Sequence, residues 1–97
     1  MSRHRKIHKE TVFLADDNNS FVLPKNAEIL CVQTQGNFIC MWYIFDPYTT
    51  ETEVRKFRVC ETGQDIVLDN LDSNMWYIGT VQQRDLVWHV FEIYDET

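Results

Sequence analysis

The last hairpin of the sequence constrains the fold more than any other stretch. Its first arm runs from Met75 to Gln82, a turn follows at 83–85, and its second arm runs from Leu86 to Tyr94. The second arm is apolar on both faces, because large apolar side chains occupy odd and even positions alike. A half-exposed sheet keeps one polar face, so this strand must be covered on both sides, by the rest of the domain or by a second copy.

A second stretch, 38–45, is equally apolar and is bounded by turn residues at Gly36-Asn37 and Asp46-Pro47. Its length and its aromatic and β-branched content indicate a strand rather than a helix. Turn-forming residues at 16–20 and 69–74 predict a turn and a loop. Other strands are predicted at 5–14, 21–23, 27–35 and 52–60. The 97 residues therefore predict a single β domain, an all-β antiparallel sandwich or small barrel of about seven strands with little or no helix.

The position of Gly79 and the alternation within 27–35 each predict a local feature of the sheets. Gly79 lies in the middle of a strand, where glycine usually marks a β-bulge or a close approach of another backbone. Alternation within 27–35 places Ile29 and Cys31 on one face and Leu30 and Val32 on the other. The two doubly apolar strands suggest a closed barrel, a sheet buried between layers or a subunit interface. We favour the interface and therefore expect a homo-oligomer.

The charge of the chain is unevenly distributed. Residues 1–9 carry four basic residues and no acid, whereas the other 88 carry five bases and fifteen acids, so that charges of +4 and −10 give the net −6. An acidic body repels phosphate backbones, and nucleic acid is therefore an unlikely partner. The basic segment at 1–9, which leads into the first strand, is expected to lie on the acidic body; a nucleic-acid arm is the alternative.

Three cysteines, Cys31, Cys40 and Cys60, each lie in a strand-like apolar run, which predicts buried thiols and a reducing compartment. No clustered Cys and His residues predict a metal site, and nothing in the sequence predicts a cofactor. No apolar run approaches the ~20 residues of a membrane span, and the basic start lacks the apolar region of a signal peptide. We therefore expect a cytoplasmic protein with no membrane partner.

The candidate ligand-binding residues are aromatic, cationic or polar side chains, each with a simpler structural interpretation. Strand tryptophans stack on bases but are more often core or interface residues. A cation binds phosphate or only a neighbouring carboxylate, and a Thr-Gly pair offers amides to an anion or forms an ordinary turn. For His89 a hydrogen bond across the sheet is favoured over a catalytic role. The candidates are Trp42, Lys56, Arg58, Thr62, Gly63, Trp76, Gln82, Arg84 and His89.

Several blocks of the sequence together resemble one family over nearly the whole chain. They are Leu23-Pro24 with Ala27, Ile29-Leu30, Val32-Gln33 and Gln35; then Trp42, Asp46-Pro47, Phe57 and Thr62-Gly63; then 77–82 and 86–92. The chain resembles a family of small tailed-phage accessory proteins of unknown function. Relatives often carry histidine after the Thr-Gly pair, where this chain has Gln64, which argues against a histidine site at that turn. The resemblance implies a location in the host cytoplasm and gives no activity.

These observations favour a non-enzymatic phage accessory protein that acts by binding. In one version it counters host defence by sequestering a small nucleotide-like signal, and in the other its acidic surface blocks a host protein. No serine elbow, paired-histidine metal motif or phosphate loop is present, which argues against an enzyme. A virion-associated structural protein is one alternative, and a small enzyme that uses His89 with a carboxylate is another.

Overall fold

The computed structural model describes residues 3–14, 18–66 and 74–94 of the chain. These residues form seven β-strands and no helix. The strands are β1 (Lys6–Val12), β2 (Asn18–Pro24), β3 (Glu28–Gln35), β4 (Phe38–Phe45), β5 (Thr52–Glu61), β6 (Met75–Gln83) and β7 (Leu86–Ile93). No helix in the described ranges could therefore cross a membrane.

The strands form two antiparallel sheets that face each other as a sandwich, which confirms the predicted fold class and excludes a closed barrel. One sheet has the order β1-β4-β3 and the other the order β2-β5-β7-β6. The two strands that are apolar on both faces, β4 and β7, are both inner strands. Each therefore has a neighbouring strand on either side, while β1, β2, β3 and β6 form the sheet edges. The charged strand β1 is one of these edges, and charged side chains are a common protection of an edge strand against further pairing.

The main core lies between the two sheets and takes one face of each. Phe57, Met41 and Val90 are fully buried there, and Trp88 packs against the same cluster with a buried indole Nε1 that has no hydrogen-bond partner among the described residues. A smaller cluster of Leu23, Ala27 and Tyr43 fills one end of the sandwich. The outward faces of β4 and β7 do not contribute to this core.

Long neighbouring side chains partly cover these outward faces. On β4, Trp42 lies opposite Lys9, and the Lys9 ammonium hydrogen-bonds the Gln35 amide oxygen, which also accepts a contact of 3.9 Å from the buried Cys40 thiol. On β7, the Phe91 ring packs against Tyr77 with 5.7 Å between ring centroids. The second apolar face of each strand is thus half-buried within one chain. The expected homo-oligomer stays a prediction.

Two β-bulges correct the predicted face assignment and explain Gly79. A register shift in β3 between Ile29 and Cys31 inserts one residue, and as a result Ile29 and Val32 both pack against the core, although strict alternation placed them on opposite faces. A second shift lies in β6 between Tyr77 and Gly79. A Cβ built on Gly79 would lie 2.8 Å from Val32 Cγ2. The predicted bulge at Gly79 is confirmed, whereas the close neighbour is the Val32 side chain, with the Val32 backbone nitrogen 3.9 Å from the same Cβ position.

The predicted turn at 16–20 is wrong for its last residues, because β2 begins at Asn18. Asn19 is a turn-forming residue that here lies in a strand opposite the buried Phe57. Its side-chain amide accepts a bond from the Phe13 amide at 2.9 Å and donates to the Phe13 carbonyl at 3.1 Å, so it links β2 to the chain that precedes it. The predicted loop at 69–74 lies, except for its last residue, outside the described residues.

The three cysteines form no disulfide with one another. Cys40 and Cys60 are buried and Cys31 is partly buried, in agreement with the predicted thiols. Residues 3–5 of the basic segment precede β1 and are exposed, and residues 1–2 lie outside the described ranges.

Candidate functional site

The edges of the two sheets meet at one end and separate at the other. Close to the hairpin tip, the Thr34 hydroxyl donates to the Gln82 carbonyl at 2.7 Å, and Val32 contacts Gly79. Beyond the two bulges, toward the beginning of β3 and β6, a cleft of about 530 Å³ opens between the strands. It is lined by Ala27, Glu28, Ile29, Leu30, Arg55, Trp76, Tyr77, Ile78, Glu92 and Tyr94. We call it the end cleft.

A buried ion pair forms the floor of the end cleft. Both oxygens of Glu92 accept from the Arg55 guanidinium, through Nε and, at 2.9 Å, through Nη2. Arg55 Nη1 also donates to the Ala27 carbonyl at 2.7 Å, and the Tyr94 hydroxyl donates to Glu92 at 3.2 Å. The side chains of Arg55 and Glu92 are 15% and 4% exposed. The hydrogen bond to Glu92 raises the pKa of Arg55, although burial opposes this rise.

Several apolar side chains line the walls of the end cleft and are partly open to solvent. Trp76 lies opposite Glu92 in the register of β6 and β7, and it is 67% exposed. Leu30 on the facing strand is 44% exposed, and Ile78 lies deeper. The geometry therefore supplies a flat apolar surface directly next to a set of charges.

After the ion pairs of the cleft are counted, the charge left to interact with a ligand is negative. An adjoining cleft of about 450 Å³ shares Arg55 and Glu92 and adds Glu53 and Lys56. The two clefts together hold three carboxylates and two cations. Arg55 is already engaged by Glu92 and by Glu53, which lies 3.3 Å from it. The side chain of Glu28 forms no hydrogen bond or ion pair with another described residue, so it is a carboxylate on the wall without a direct counter-charge.

The phenol of Tyr94 provides a spectroscopic test of this arrangement. Burial raises the pKa of Tyr94 above 10.0, and the Glu92 carboxylate raises it further, while burial raises the pKa of Tyr43 at the same end of the sandwich. We expect Tyr94→Phe to remove one late-ionising phenol from an ultraviolet titration of the four tyrosines. Because both shifts are upward, their contribution to stability is present below pH 10.0 and lost as the pH rises through the folded-state values. Loss of an early-ionising phenol instead would contradict the contact with Glu92.

Only two of the nine predicted ligand-binding residues line these clefts. Trp76 lies on the wall of the end cleft, and Lys56 lines the adjoining one. Trp42 lies on the outward face of the other sheet, and Arg84, with φ of 55°, occupies the tip of the last hairpin. The remaining predicted residues lie on the outward face of the four-stranded sheet or in the turn that follows β5: Arg58, Thr62, Gly63, Gln82 and His89. The nine residues therefore do not form one pocket within a single chain.

His89 is hydrogen-bonded across the sheet, as predicted. Its Nε2 lies 2.8 Å from the Thr62 hydroxyl and its Nδ1 2.9 Å from the Thr80 hydroxyl, which in turn lies 2.6 Å from the Tyr77 hydroxyl. The Thr62 hydroxyl can donate to the Val87 carbonyl at 3.3 Å, which leaves it free to accept from Nε2. One consistent set of donors therefore satisfies a neutral imidazole. No carboxylate of the described residues hydrogen-bonds His89.

The turn after β5 uses its polar groups internally. The Thr62 amide donates to the Val87 carbonyl at 3.0 Å, and the Gln64 amide donates to the Glu61 carbonyl at 3.0 Å. The Gln64 side chain accepts from the Glu61 amide at 2.9 Å. Three of the amides that an anion would need are thus engaged, and the Thr62-Gly63 pair has the geometry of an ordinary β-turn, with φ of 89° at Gly63.

The ion pair on the cleft floor was not predicted from the sequence. The signal was present, because Arg55 alternates with Phe57 and Val59 on the core face of β5, and Glu92 lies between apolar residues in β7. Charges of opposite sign in two core-facing strand positions indicate a buried pair. The sequence does not show that β5 pairs with β7. Without that pairing, it could not be predicted that Arg55 and Glu92 are neighbours.

Comparison with known proteins gives the family and no function. No group of three potential metal ligands occurs in the described ranges. No curated protein and no solved structure matches the chain. The profile of a domain of unknown function, DUF7352, matches residues 3–97, which is nearly the entire sequence. The chain therefore belongs to the DUF7352 family.

Proposed function

We propose that the protein is a non-enzymatic binding protein whose end cleft holds a basic, extended segment of a partner protein. The observation that carries the proposal is that the exposed Trp76 and the unpaired Glu28 side chain line one cleft, whose floor is an ion pair that is already complete. An indole face attracts an arginine or lysine head group, and a carboxylate within reach adds a charge-assisted hydrogen bond. Leu30 and Ile78 supply apolar area for the stem of the same side chain.

The strand edges at the cleft support an extended segment as the ligand. β3 and β6 are the last strands of their sheets on the side where the cleft opens. An edge strand presents unpaired backbone groups, and partner peptides often add to such edges as a further strand. Side chains of an added strand alternate in direction, so one set would enter the cleft and the other would remain outside.

Charge favours a basic protein over a nucleotide-like ligand in this cleft. Residues 10–97 carry five bases and fifteen acids, which steers positively charged surfaces toward the protein. A phosphate in the end cleft would meet the carboxylates of Glu28 and Glu92 and no unengaged guanidinium. Of the three cations first considered for phosphate, Arg58 and Arg84 lie outside both clefts, and Lys56 lines only the adjoining one.

We further propose that the partner is a protein of an infected bacterial host and that binding counters a host defence function in the host cytoplasm. The resemblance of the sequence blocks to tailed-phage accessory proteins supports this part of the proposal, as does the presence of three cysteines without disulfides. An acidic β-domain that covers a basic surface blocks its partner without any chemical step.

The proposal predicts a specific effect of Trp76→Ala. A labelled peptide of about ten residues that alternates arginine and valine imitates a strand with one basic face. We expect it to bind the wild-type protein, and we expect Trp76→Ala to weaken binding by about tenfold or more because the cation loses its aromatic partner. Glu28→Gln should weaken it by a smaller factor. Fluorescence anisotropy measures each affinity.

The matched control is Phe38→Ala, which removes another exposed aromatic residue, 62% exposed, from the start of β4. It should bind the peptide like the wild type. Equal binding by Trp76→Ala, or equal binding of a peptide with glutamate in place of arginine, would refute the proposed site. A nucleotide that bound while the basic peptide did not would overturn the proposal in favour of a nucleotide-like ligand.

A further inference from the structure

We propose that the basic N-terminal segment of a second copy occupies the end cleft when no partner is bound, so that two copies block each other's sites. This inference rests on the proposed function, because it assigns the same chemistry, a basic segment in an acidic aromatic cleft, to a segment of the chain itself. It also gives the expected homo-oligomer a defined contact, in which each copy contributes residues to the site of the other.

The segment and the cleft lie at the same end of the sandwich. Lys6, the first residue of β1, pairs with Phe45, and Glu28, the first residue of β3, pairs with the adjacent Ile44. Arg5 and Glu28 line a common cavity of about 370 Å³ at this end. The chain therefore enters β1 within a few residues of the carboxylate on the cleft wall.

The charges of the segment and the cleft are complementary. Residues 3–9 are exposed and contain four cations and no acid. Arg3 and Arg5 form no ion pair with the acidic side chains of the described residues, although Arg5 Nη1 donates to the neighbouring His4 carbonyl at 2.8 Å. Three extended residues span about 10 Å, so residues 3–5 can extend beyond the end of their own sheet. Their guanidinium groups are thus available to the Glu28 and Trp76 of another copy.

The geometry allows a closed pair. Because donor segment and acceptor cleft share one end, two copies that meet end to end around a twofold axis satisfy both contacts at once. The contact depends on exposed ion pairs and a few apolar side chains, so the dimer should be weak and sensitive to salt.

The test is the self-association of the full chain and of two charge-reversed variants, measured by analytical ultracentrifugation. We expect dimers at about 50 mM salt and their dissociation at about 500 mM. Arg3→Glu with Arg5→Glu should raise the dimer dissociation constant by about tenfold or more, and Glu28→Lys should do the same, because each homodimer then brings like charges together. A mixture of the two variants should form heterodimers, since both exchanged contacts are attractive again.

The control is Arg84→Glu, which reverses an exposed charge at the hairpin tip and should dimerise like the wild type. Circular dichroism melting of each variant separates a lost contact from lost folding. A wild-type monomer at all concentrations, or a dimer that neither reversal weakens, would overturn the inference.

If the monomeric Arg3→Glu, Arg5→Glu variant binds the arginine–valine peptide while the wild type never dimerises, this inference fails and the proposed function stands. If dimers form as described but no variant binds the peptide, the proposed function fails.

Discussion

Replacement of Glu92 by alanine should lower the free energy of unfolding by about 3–5 kcal/mol, because the largely buried Arg55 guanidinium then keeps only the partly exposed Glu53 as a counter-charge. The side chain of Arg55 is only 15% exposed, so water cannot replace the carboxylate without a rearrangement of the cleft. For a domain of this size, such a loss lowers the melting temperature by more than about 10 °C. Chemical denaturation followed by tryptophan fluorescence gives the free energy directly.

Loss of a proton from Arg55 cannot relieve this cost. The hydrogen bond to Glu92 raises the pKa of Arg55 above its ordinary value in the wild type. A raised pKa means that the stabilisation is fully present below the pKa of the unfolded chain and is lost only as the pH rises through the folded-state pKa. Throughout the range of an ordinary unfolding experiment the guanidinium is therefore charged, and Glu92→Ala removes a pair that is otherwise fully formed.

Two further variants distinguish the buried pair from an ordinary surface pair. Arg55→Leu together with Glu92→Leu should cost less than Glu92→Ala alone, because both charges of the buried pair are removed and only the partly exposed Glu53 loses a partner. Glu51→Ala breaks the Lys25–Glu51 pair, whose side chains are 52% and 70% exposed and 3.2 Å apart, and should cost less than about 1 kcal/mol. If Glu92→Ala were as mild as Glu51→Ala, the ion pair would not be a structural element of the cleft floor.

The strands were predictable from the sequence because hydrophobic alternation and turn residues are local signals. The stretches at 38–45 and 86–94 both proved to be strands, and the turns at Gly36 and Asp46 lie where expected. Apolar residues on both faces of these two strands led us to expect a subunit interface, but they do not by themselves require one. An inner strand of a small sandwich also keeps apolar residues on its outward face when side chains such as Lys9 and Gln35 lie across them.

The end cleft was not predictable, because it depends on two strands that are far apart in the sequence. β3 and β6 belong to different sheets, and nothing local to either strand shows that their edges meet at Gly79 and separate at Glu28. The bulge at Ile29/Cys31 has no glycine or proline to mark it, so alternation was continued through it and assigned Val32 to the wrong face. The bulge in β6 was predicted because Gly79 marks it.

Gly79→Ala tests the contact between the two sheets. We expect it to destabilise the protein, whereas a glycine-to-alanine change at a compatible site usually stabilises. Gly79 does not have a positive φ, so alanine fits the backbone, and a glycine-to-alanine change at a compatible site normally stabilises by about 0.4–1 kcal/mol. Here the new Cβ would lie 2.8 Å from Val32 Cγ2. We expect a loss of about 1–3 kcal/mol instead, because valine is stiff and the sheets must move apart to accommodate the methyl group.

A double-mutant cycle with Val32→Ala determines whether this contact is the cause. Val32→Ala alone leaves a cavity and should destabilise the core, in which Val32 is 6% exposed. Combined with Gly79→Ala it removes the atom that the new Cβ would meet, so the double variant should be more stable than the sum of the single effects by about 1 kcal/mol or more. Strict additivity would show that the cost at Gly79 arises from the bulge itself. Coupling would show that the edges of the two sheets are held together at Val32 and Gly79, and therefore that the cleft beyond them has a fixed width.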